Sequence, residues 1–412
     1  MIPVRIAELR GLGELWAGAD VVTGLEIDSR RVGPGDLFLA IGGGSAYVEH
    51  ARANGAAATL VPDEPFAAMA ALGRLVRDRS AARVVGITGS TGKTSTKDIL
   101  AALCRPVART VASEGGHNNE VGLPLTLTRI EPDTEVVIAE MAMRGLGHIR
   151  SLAEIARPEI AIVTSVGPSH LELLGSVANV ARAKAEILEV LPPGGVAIVP
   201  EDAPELEPFI PPGLDVRRFG PPPVEIHDGR ATLRVGGRAL VFGFTALHQA
   251  TNAAAALLAL DALGLPFPEE PVEVEFARWR CEESELPGGG LLINDAYNAN
   301  PTSMRAALEH LVARAGGRRT VAVLGDMAEL GRDAPTYHAE VGAAVRELGI
   351  DVVVAVGELA RGYGAAEWVA DAEEAAQLVP TLVRPRDAVL VKASRAVGLE
   401  VVADALAGVS VP

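Results

Sequence analysis

Lysine is nearly missing from this sequence. Of 37 basic residues in 412, only Lys93, Lys97, Lys184 and Lys392 are lysines, so 37 − 4 = 33 are arginine. A bias of composition, from codon usage or heat adaptation, accounts for the preference. It also makes each surviving lysine a candidate for chemistry that a guanidinium cannot perform. Cysteine is equally scarce, and Cys104 and Cys281 alone exclude a disulfide scaffold or a structural zinc site. No uninterrupted apolar run is long enough to span a bilayer, and residues 1–16 lack the apolar core of a secretion signal. A cytoplasmic chain without membrane insertion is expected. Basic residues are outnumbered by 53 acidic ones, giving a net charge of −16. That balance excludes a general binder of nucleic acid or anionic membranes. An anionic ligand in a local basic pocket remains compatible with it. What the chain does have is apolar content: 49% hydrophobic against 22% charged residues marks a folded protein of two to four domains.

Up to residue 82, short apolar runs such as Asp36-Leu-Phe-Leu-Ala-Ile mix with Gly-rich turns and an Ala-rich helical stretch at 66–78. From Arg83 the pattern changes. Strand-like runs at 84–88, 136–140, 160–164 and 196–199 alternate with helical stretches at 93–103, 177–190 and 247–262. Such alternation predicts a parallel sheet covered by helices. Pro and Gly cluster at 192–195, 211–213 and 220–223, which read as long turns. Pro287-Gly-Gly-Gly reads as the loop into a last unit, where strands at 291–294, 320–324, 352–356 and 388–392 alternate with four helices. The expected architecture is α/β in three domains: 1–82, a central P-loop-type parallel sheet over 83–285, and a doubly wound, Rossmann-like domain over 286–412.

The strongest local signal is Val84-Val-Gly-Ile-Thr-Gly-Ser-Thr-Gly-Lys-Thr, a buried strand entering a Gly-rich turn with a helix behind it. In such a turn Gly89, Ser90, Thr91 and Gly92 direct backbone N–H groups at phosphate oxygens, and the helix N-terminus adds positive potential. Lys93 would neutralise phosphate charge, and the Thr94 hydroxyl would coordinate Mg²⁺. The common spacing would put a first glycine at 87, where Ile87 stands, so only the shorter core matches. Lys97 beside Asp98 reads as an ordinary solvated pair.

Further polar residues fall at predicted strand ends. Glu140 closes Val136-Val-Ile-Ala-Glu, a costly place for a carboxylate unless a cation or donor meets it. His170 follows the strand at 160–164, and Lys184 sits on the next helix between Ala183 and Ala185. A lysine there is either an ion-pair partner or a chemically modified amine. His117-Asn118-Asn119 forms a polar turn.

Taken together, these residues carry a resemblance. Gly89-Ser-Thr-Gly-Lys-Thr, His117-Asn-Asn, Glu140-Met-Ala-Met-Arg-Gly, Ser169-His-Leu-Glu and Ala183-Lys-Ala-Glu-Ile are similar to the central domain of the Mur ligases. Asn294-Asp-Ala-Tyr-Asn-Ala-Asn-Pro-Thr-Ser-Met, Leu324-Gly-Asp-Met-Ala-Glu-Leu-Gly and Leu390-Val-Lys-Ala-Ser-Arg resemble the members that add D-alanyl-D-alanine to UDP-N-acetylmuramoyl-tripeptide. Asp28-Ser-Arg and Gly33-Pro-Gly-Asp-Leu-Phe-Leu-Ala resemble their uridine-nucleotide domain. The resemblance implies a monomeric ATP- and Mg²⁺-dependent amide ligase of peptidoglycan precursor synthesis that works through an acyl phosphate. It implies ATP phosphates on Lys93 and Thr94, and Mg²⁺ on Thr94, Glu140, His170 and a CO₂-derived carbamate of Lys184. It further implies Asn252 beside adenine, Arg280 on ATP and Asp295 near the ribose. Ser29, Arg30, Asn118, Asn119, Asn298, Lys392 and Arg395 would face the peptide and nucleotide substrates. Lys93, His170 and Lys184 form the implied catalytic set. The chain departs from the family where Trp279-Arg280 replaces the usual Gly-Arg, and where the loop from Gly42 to His50 is short. A sister ligase, adding another amino acid or adding glutamate to folate, is the alternative; a motor-type P-loop ATPase is disfavoured by the loop spacing.

Overall fold

The computed structural model describes residues 1–408. Three sheets carry the three units. The first is a mixed four-stranded sheet in the order Gly13–Ala17, Ala58–Pro62, Asp36–Leu39, Gly24–Glu26, with only the first pair antiparallel. Its helix Pro65–Asp78 starts on a proline, whose missing N–H costs nothing at that position. Met69, Leu72 and Val76 of this helix share one apolar core with Leu123, Ile149 and Leu152 of the central unit. Arg77 locks the junction, donating to the Ala156 carbonyl at 2.9 Å and to Glu159 at 3.1 Å.

The central sheet has six parallel strands in the order Asp215–Phe219, Val196–Pro200, Ile160–Val163, Arg83–Thr88, Val136–Glu140, Thr110–Ala112. Arg83–Thr88 comes first in sequence and lies in the middle, so later strands are added on both sides of it. At such a reversal the loops leaving neighbouring strands part and open a crevice at their C-terminal ends. The strands are apolar on both faces because helices cover both; Val85, Ile87, Ile138 and Ile162 are fully buried.

Beyond the central sheet the structure adds an element that the sequence reading leaves out. After the turn at 220–223, residues 224–242 form a three-stranded antiparallel sheet, Val224–His227, Arg230–Val235 and Arg238–Phe242. Its apolar residues Leu233, Leu240 and Phe242 pack under the helix Leu247–Ala262. The alternation that builds it is present, but short and preceded by a Pro-rich segment.

The third sheet runs Glu282–Leu286, Gly290–Asp295, Ala388–Lys392, Thr320–Gly325, Val352–Val356, Glu367–Val369, all parallel except the first strand. It thus begins at Glu282, ahead of the Pro-Gly turn, which forms the tip of its hairpin. The acidic Glu282-Glu-Ser-Glu gives no alternating apolar signal from which to read that strand.

Candidate active site

The Gly-rich turn leaves the middle strand Arg83–Thr88 and enters the helix Lys93–Cys104. Both of its glycines are required by space and backbone. Gly89 (φ +152°) would carry a Cβ 1.9 Å from Thr164 Oγ1, and Gly92 (φ +83°) one 2.5 Å from Asn252 Oδ1. The turn is braced from the neighbouring strand end. Ser90 N–H donates to the Ser165 carbonyl at 3.0 Å, Thr91 N–H donates to Ser165 Oγ at 2.8 Å, and Ser169 Oγ meets Ser90 Oγ at 3.0 Å. Thr164 and Ser165 escaped the sequence reading, and Ser169 entered it only as the first residue of Ser169-His-Leu-Glu, although three hydroxyls after a buried strand are themselves a signal.

Lys93 Nζ donates to the Gly89 carbonyl at 2.7 Å, closing the turn on itself. Burial lowers its amine from the usual lysine range; Glu140 pulls it back up, and Arg280 adds to the lowering. Thr94 Oγ1 donates to Glu140 Oε1 at 3.3 Å and receives Arg280 Nη2 at 3.2 Å. Glu140 is 1% exposed, and Asn118 Nδ2 also donates to its Oε1, at 2.8 Å. Its other oxygen, Oε2, is buried without a partner among the described residues. An acceptor stranded in this way costs on the order of 1–3 kcal/mol unless something completes it. Among the described residues no three His, Cys, Asp or Glu side chains converge as a metal cage. The donors present, one carboxylate and one hydroxyl beside a phosphate-binding turn, fit Mg²⁺, which shares its shell with substrate phosphates and water.

Lys184, on the helix Val177–Glu189, is 1% exposed and has no hydrogen bond or ion pair among the described residues. Burial puts its amine well below the usual lysine range, and nearby Lys93 pushes the same way. Its neighbour Glu186 points elsewhere, accepting Gly147 N–H at 2.6 Å and Arg150 N–H at 3.0 Å to cap the helix His148–Ala156. His170 takes a left-handed backbone (φ +54°), and its Nδ1 lies 2.5 Å from Glu329 Oε2 of the third unit. That contact lowers the Glu329 carboxyl.

From the third unit, parallel register sets Asp295 opposite Lys392, and the two pair at 2.5 Å. Lys392 also donates to the Asn298 carbonyl at 2.8 Å. Both charges are buried, at 9% and 1% exposure. Asn252 donates to Gln249 at 2.9 Å, and Gln249 in turn reaches Ser95 at 3.3 Å, joining two helices beside the turn. Ser90, Asn252, Arg280, Asp295, Asn298 and Lys392 line one cleft between the central and third units.

Other predicted residues lie apart or serve the framework. Asn119 Oδ1 accepts Val121 and Gly122 N–H, capping the short helix Gly122–Leu127. Arg395 pairs with Glu400 at 2.6 Å and covers the Trp279 ring at 4.6 Å. Asn298 is exposed. In the first unit Ser29 is buried, 3.0 Å from His50 Nδ1, while Arg30 folds onto Asp28 at the surface. The unusual Trp279 has φ +61°, a conformation glycine adopts freely, and it is held between the guanidinium groups of Arg278 and Arg395.

The family models for the Mur ligase middle domain and for the Mur ligase glutamate ligase domain match residues 87–219 and 279–395. The chain belongs to the Mur ligase family. It is 36% identical to the UDP-N-acetylmuramoyl-tripeptide–D-alanyl-D-alanine ligase of Mycobacterium tuberculosis, over 93% of this chain and 92% of that protein. Its fold is similar to MurF from Acinetobacter baumannii, with a TM-score of 0.86, 28% identity and coverage of 98% and 99% of the two chains. MurF ligase from Thermotoga maritima in complex with ADP gives a TM-score of 0.82 at 27% identity, over 94% and 97%. As in those Mur ligases the chain is α/β in three domains. Among the described residues no helix is long and apolar enough to cross a membrane.

One site group makes the stability of this Mur ligase depend on pH. His248 lies at the cleft, 3.6 Å from Cys281 Sγ and edge-on to His310, and burial lowers it to about 4; Asp295 opposes this, while His310 and Lys392 add to it. The unfolded chain therefore takes up this proton first, at about 6.5. Stability from neutral His248 is complete above pH 6.5 and is lost as pH falls toward 4. Urea unfolding across that window should show a shallower loss for His248→Gln than for the parent; equal slopes would remove His248 as the source.

Proposed function

We propose that this Mur ligase joins D-alanyl-D-alanine to UDP-N-acetylmuramoyl-tripeptide at the expense of ATP, in peptidoglycan precursor synthesis. One observation supports the reading: a Gly-rich turn at a strand end, with an acid bearing an unpartnered oxygen beside Thr94 and a buried lysine near Lys93, shares a cleft with an Asp–Lys pair from another domain. Full-length similarity to the tuberculosis ligase supports the substrate pair.

The chemistry has two steps. An oxygen of the peptide carboxylate attacks the γ-phosphorus, ADP leaves, and an acyl phosphate forms. The amine of the dipeptide then attacks the acyl carbonyl, loses a proton, and inorganic phosphate departs. Both steps crowd anionic oxygens together, so fixed positive charge is what the protein must supply. Lys93 and the amides of Gly89–Thr94 hold the phosphates. Arg280, resting on Thr94, adds a second cation from the hinge, and Asn252 and Asp295 take the adenine and ribose. Mg²⁺, when bound, spreads phosphate charge and supplies Lewis acidity. Thr94, Glu140, His170 and a carbamate on Lys184 would hold it. The amine of Lys184 suits carbamate formation, because only a neutral amine adds CO₂ and burial favours that form. Asn118 orients Glu140. Lys392, Asn298 and Arg395 present the dipeptide, and closure of the third domain keeps water from the acyl phosphate.

An acceptor panel tests the reading. ADP release should require both UDP-N-acetylmuramoyl-tripeptide and D-alanyl-D-alanine, and ligated product should accumulate in step with it. Turnover with free glutamate and a folate instead, or ADP release without an acceptor amine, would overturn it.

A further inference from the structure

Of the four lysines, Lys97 is the one that the proposed chemistry leaves unused. It was expected to be solvated with Asp98; it is 5% exposed, and its Nζ lies 2.6 Å from Asp98 Oδ1. Adjacent helical side chains ordinarily diverge. Here they converge because the other Asp98 oxygen is engaged: Oδ2 accepts the Ala277 N–H at 3.0 Å. Ala277 lies 179 residues away in sequence, on the strap that leads from the central unit to the hinge. Three residues further along that strap is Arg280, whose Nη2 returns to Thr94 at 3.2 Å. Thr94 and Asp98 are one helical turn apart on the same helix, Lys93–Cys104. The strap is thus tied twice to the phosphate-loop helix, by a backbone N–H at one end and a guanidinium at the other.

The Arg280 end needs help to stay in place. Its Nε is buried without a partner, and its guanidinium stacks on Tyr297 at 4.0 Å. The residues on both sides, Trp279 and Cys281, have left-handed backbones at φ +61° and +52°. A strap with this conformation has no local preference for it and must be held from outside.

We infer that Asp98, with Lys97 as its counter-charge, is a positioning residue that fixes the 276–280 strap so that Arg280 reaches the phosphate loop. Asp98 touches no substrate in this scheme and acts through Arg280. The inference rests on reading Arg280 as a nucleotide contact. An arginine at 97 would not serve as well, since a buried ammonium satisfied by one carboxylate oxygen is smaller than a guanidinium fork.

A double-mutant cycle on the full chain tests it. Arg280→Ala alone is expected to raise the ATP KM about tenfold, and Asp98→Ala alone about three- to tenfold, with the KM for the UDP-linked substrate unchanged. In the Arg280→Ala background, Asp98→Ala should add less than twofold, because nothing is left to position. Asp98→Asn, which keeps an acceptor for Ala277 N–H, should fall between parent and Asp98→Ala, and thermal melts should show each variant folded. Independent, multiplying effects of the two substitutions overturn the tether while leaving Arg280 as a nucleotide contact. An unchanged ATP KM in Arg280→Ala overturns both. A variant that fails to melt cooperatively is replaced in the cycle by Asp98→Asn, for which the same non-additivity decides.

Discussion

Lys184→Arg is expected to lose ligation by about a thousandfold, the scale of removing one preorganised charge-stabilising group. Arginine stays protonated, cannot add CO₂, and would bring a second permanent cation next to Lys93. A lysine there need not be charged, since burial favours the neutral amine. Lys184→Ala leaves a cavity instead of a cation, and a short carboxylate such as acetate should restore part of its turnover by standing where the carbamate would. The comparison is made with saturating ATP and bicarbonate. Parent-like turnover of Lys184→Arg under these conditions would make Lys184 a packing residue and end the carbamate proposal.

Lys93→Ala should abolish ATP-dependent ligation to a similar or greater extent, since fixed cations at a transferring phosphoryl group are worth about 10³–10⁵ in turnover. The fold should survive. The Lys93 ammonium makes one hydrogen bond, to Gly89, and the turn keeps its braces through Ser165 and Ser169. Circular dichroism should therefore match the parent, and the UDP-linked substrate should still bind by calorimetry while the acyl phosphate no longer forms. A folded Lys93→Ala enzyme with near-normal turnover would remove the phosphate loop from the mechanism.

How much of this was legible beforehand differs by the range of the interaction. Strand–helix alternation and the position of Gly89–Thr94 are local, and the parallel sheets follow from them. Glu140 could be read as anomalous because a carboxylate ending a buried strand needs a partner, and one of its oxygens has none among the described residues. Bridges between distant segments left no such trace. Asp98 to Ala277, His170 to Glu329 and Ser90 to Ser169 each depend on how loops meet after folding. Glu283 is another case, joining Thr245, His310 and Arg314 across the domain junction from a strand with no apolar pattern at all. Asn119 shows the reverse error of a motif reading: its neighbour Asn118 faces Glu140, while its own side chain is spent on a helix cap. The rarity of lysine was the most informative single count, for none of the four is exposed.

That last fact bears on covalent labelling. The outer surface displays its positive charge as guanidinium alone, so amine-directed reagents such as acid anhydrides, isothiocyanates and succinimidyl esters find no side-chain target there. Every ε-amine they can acylate is buried or half-buried, at Lys93, Lys97, Lys184 and Lys392. Acylation of those side chains becomes a clock for the opening of the molecule. Shielding by nucleotide, followed peptide by peptide in a mass spectrometer, separates the four sites without any engineered probe.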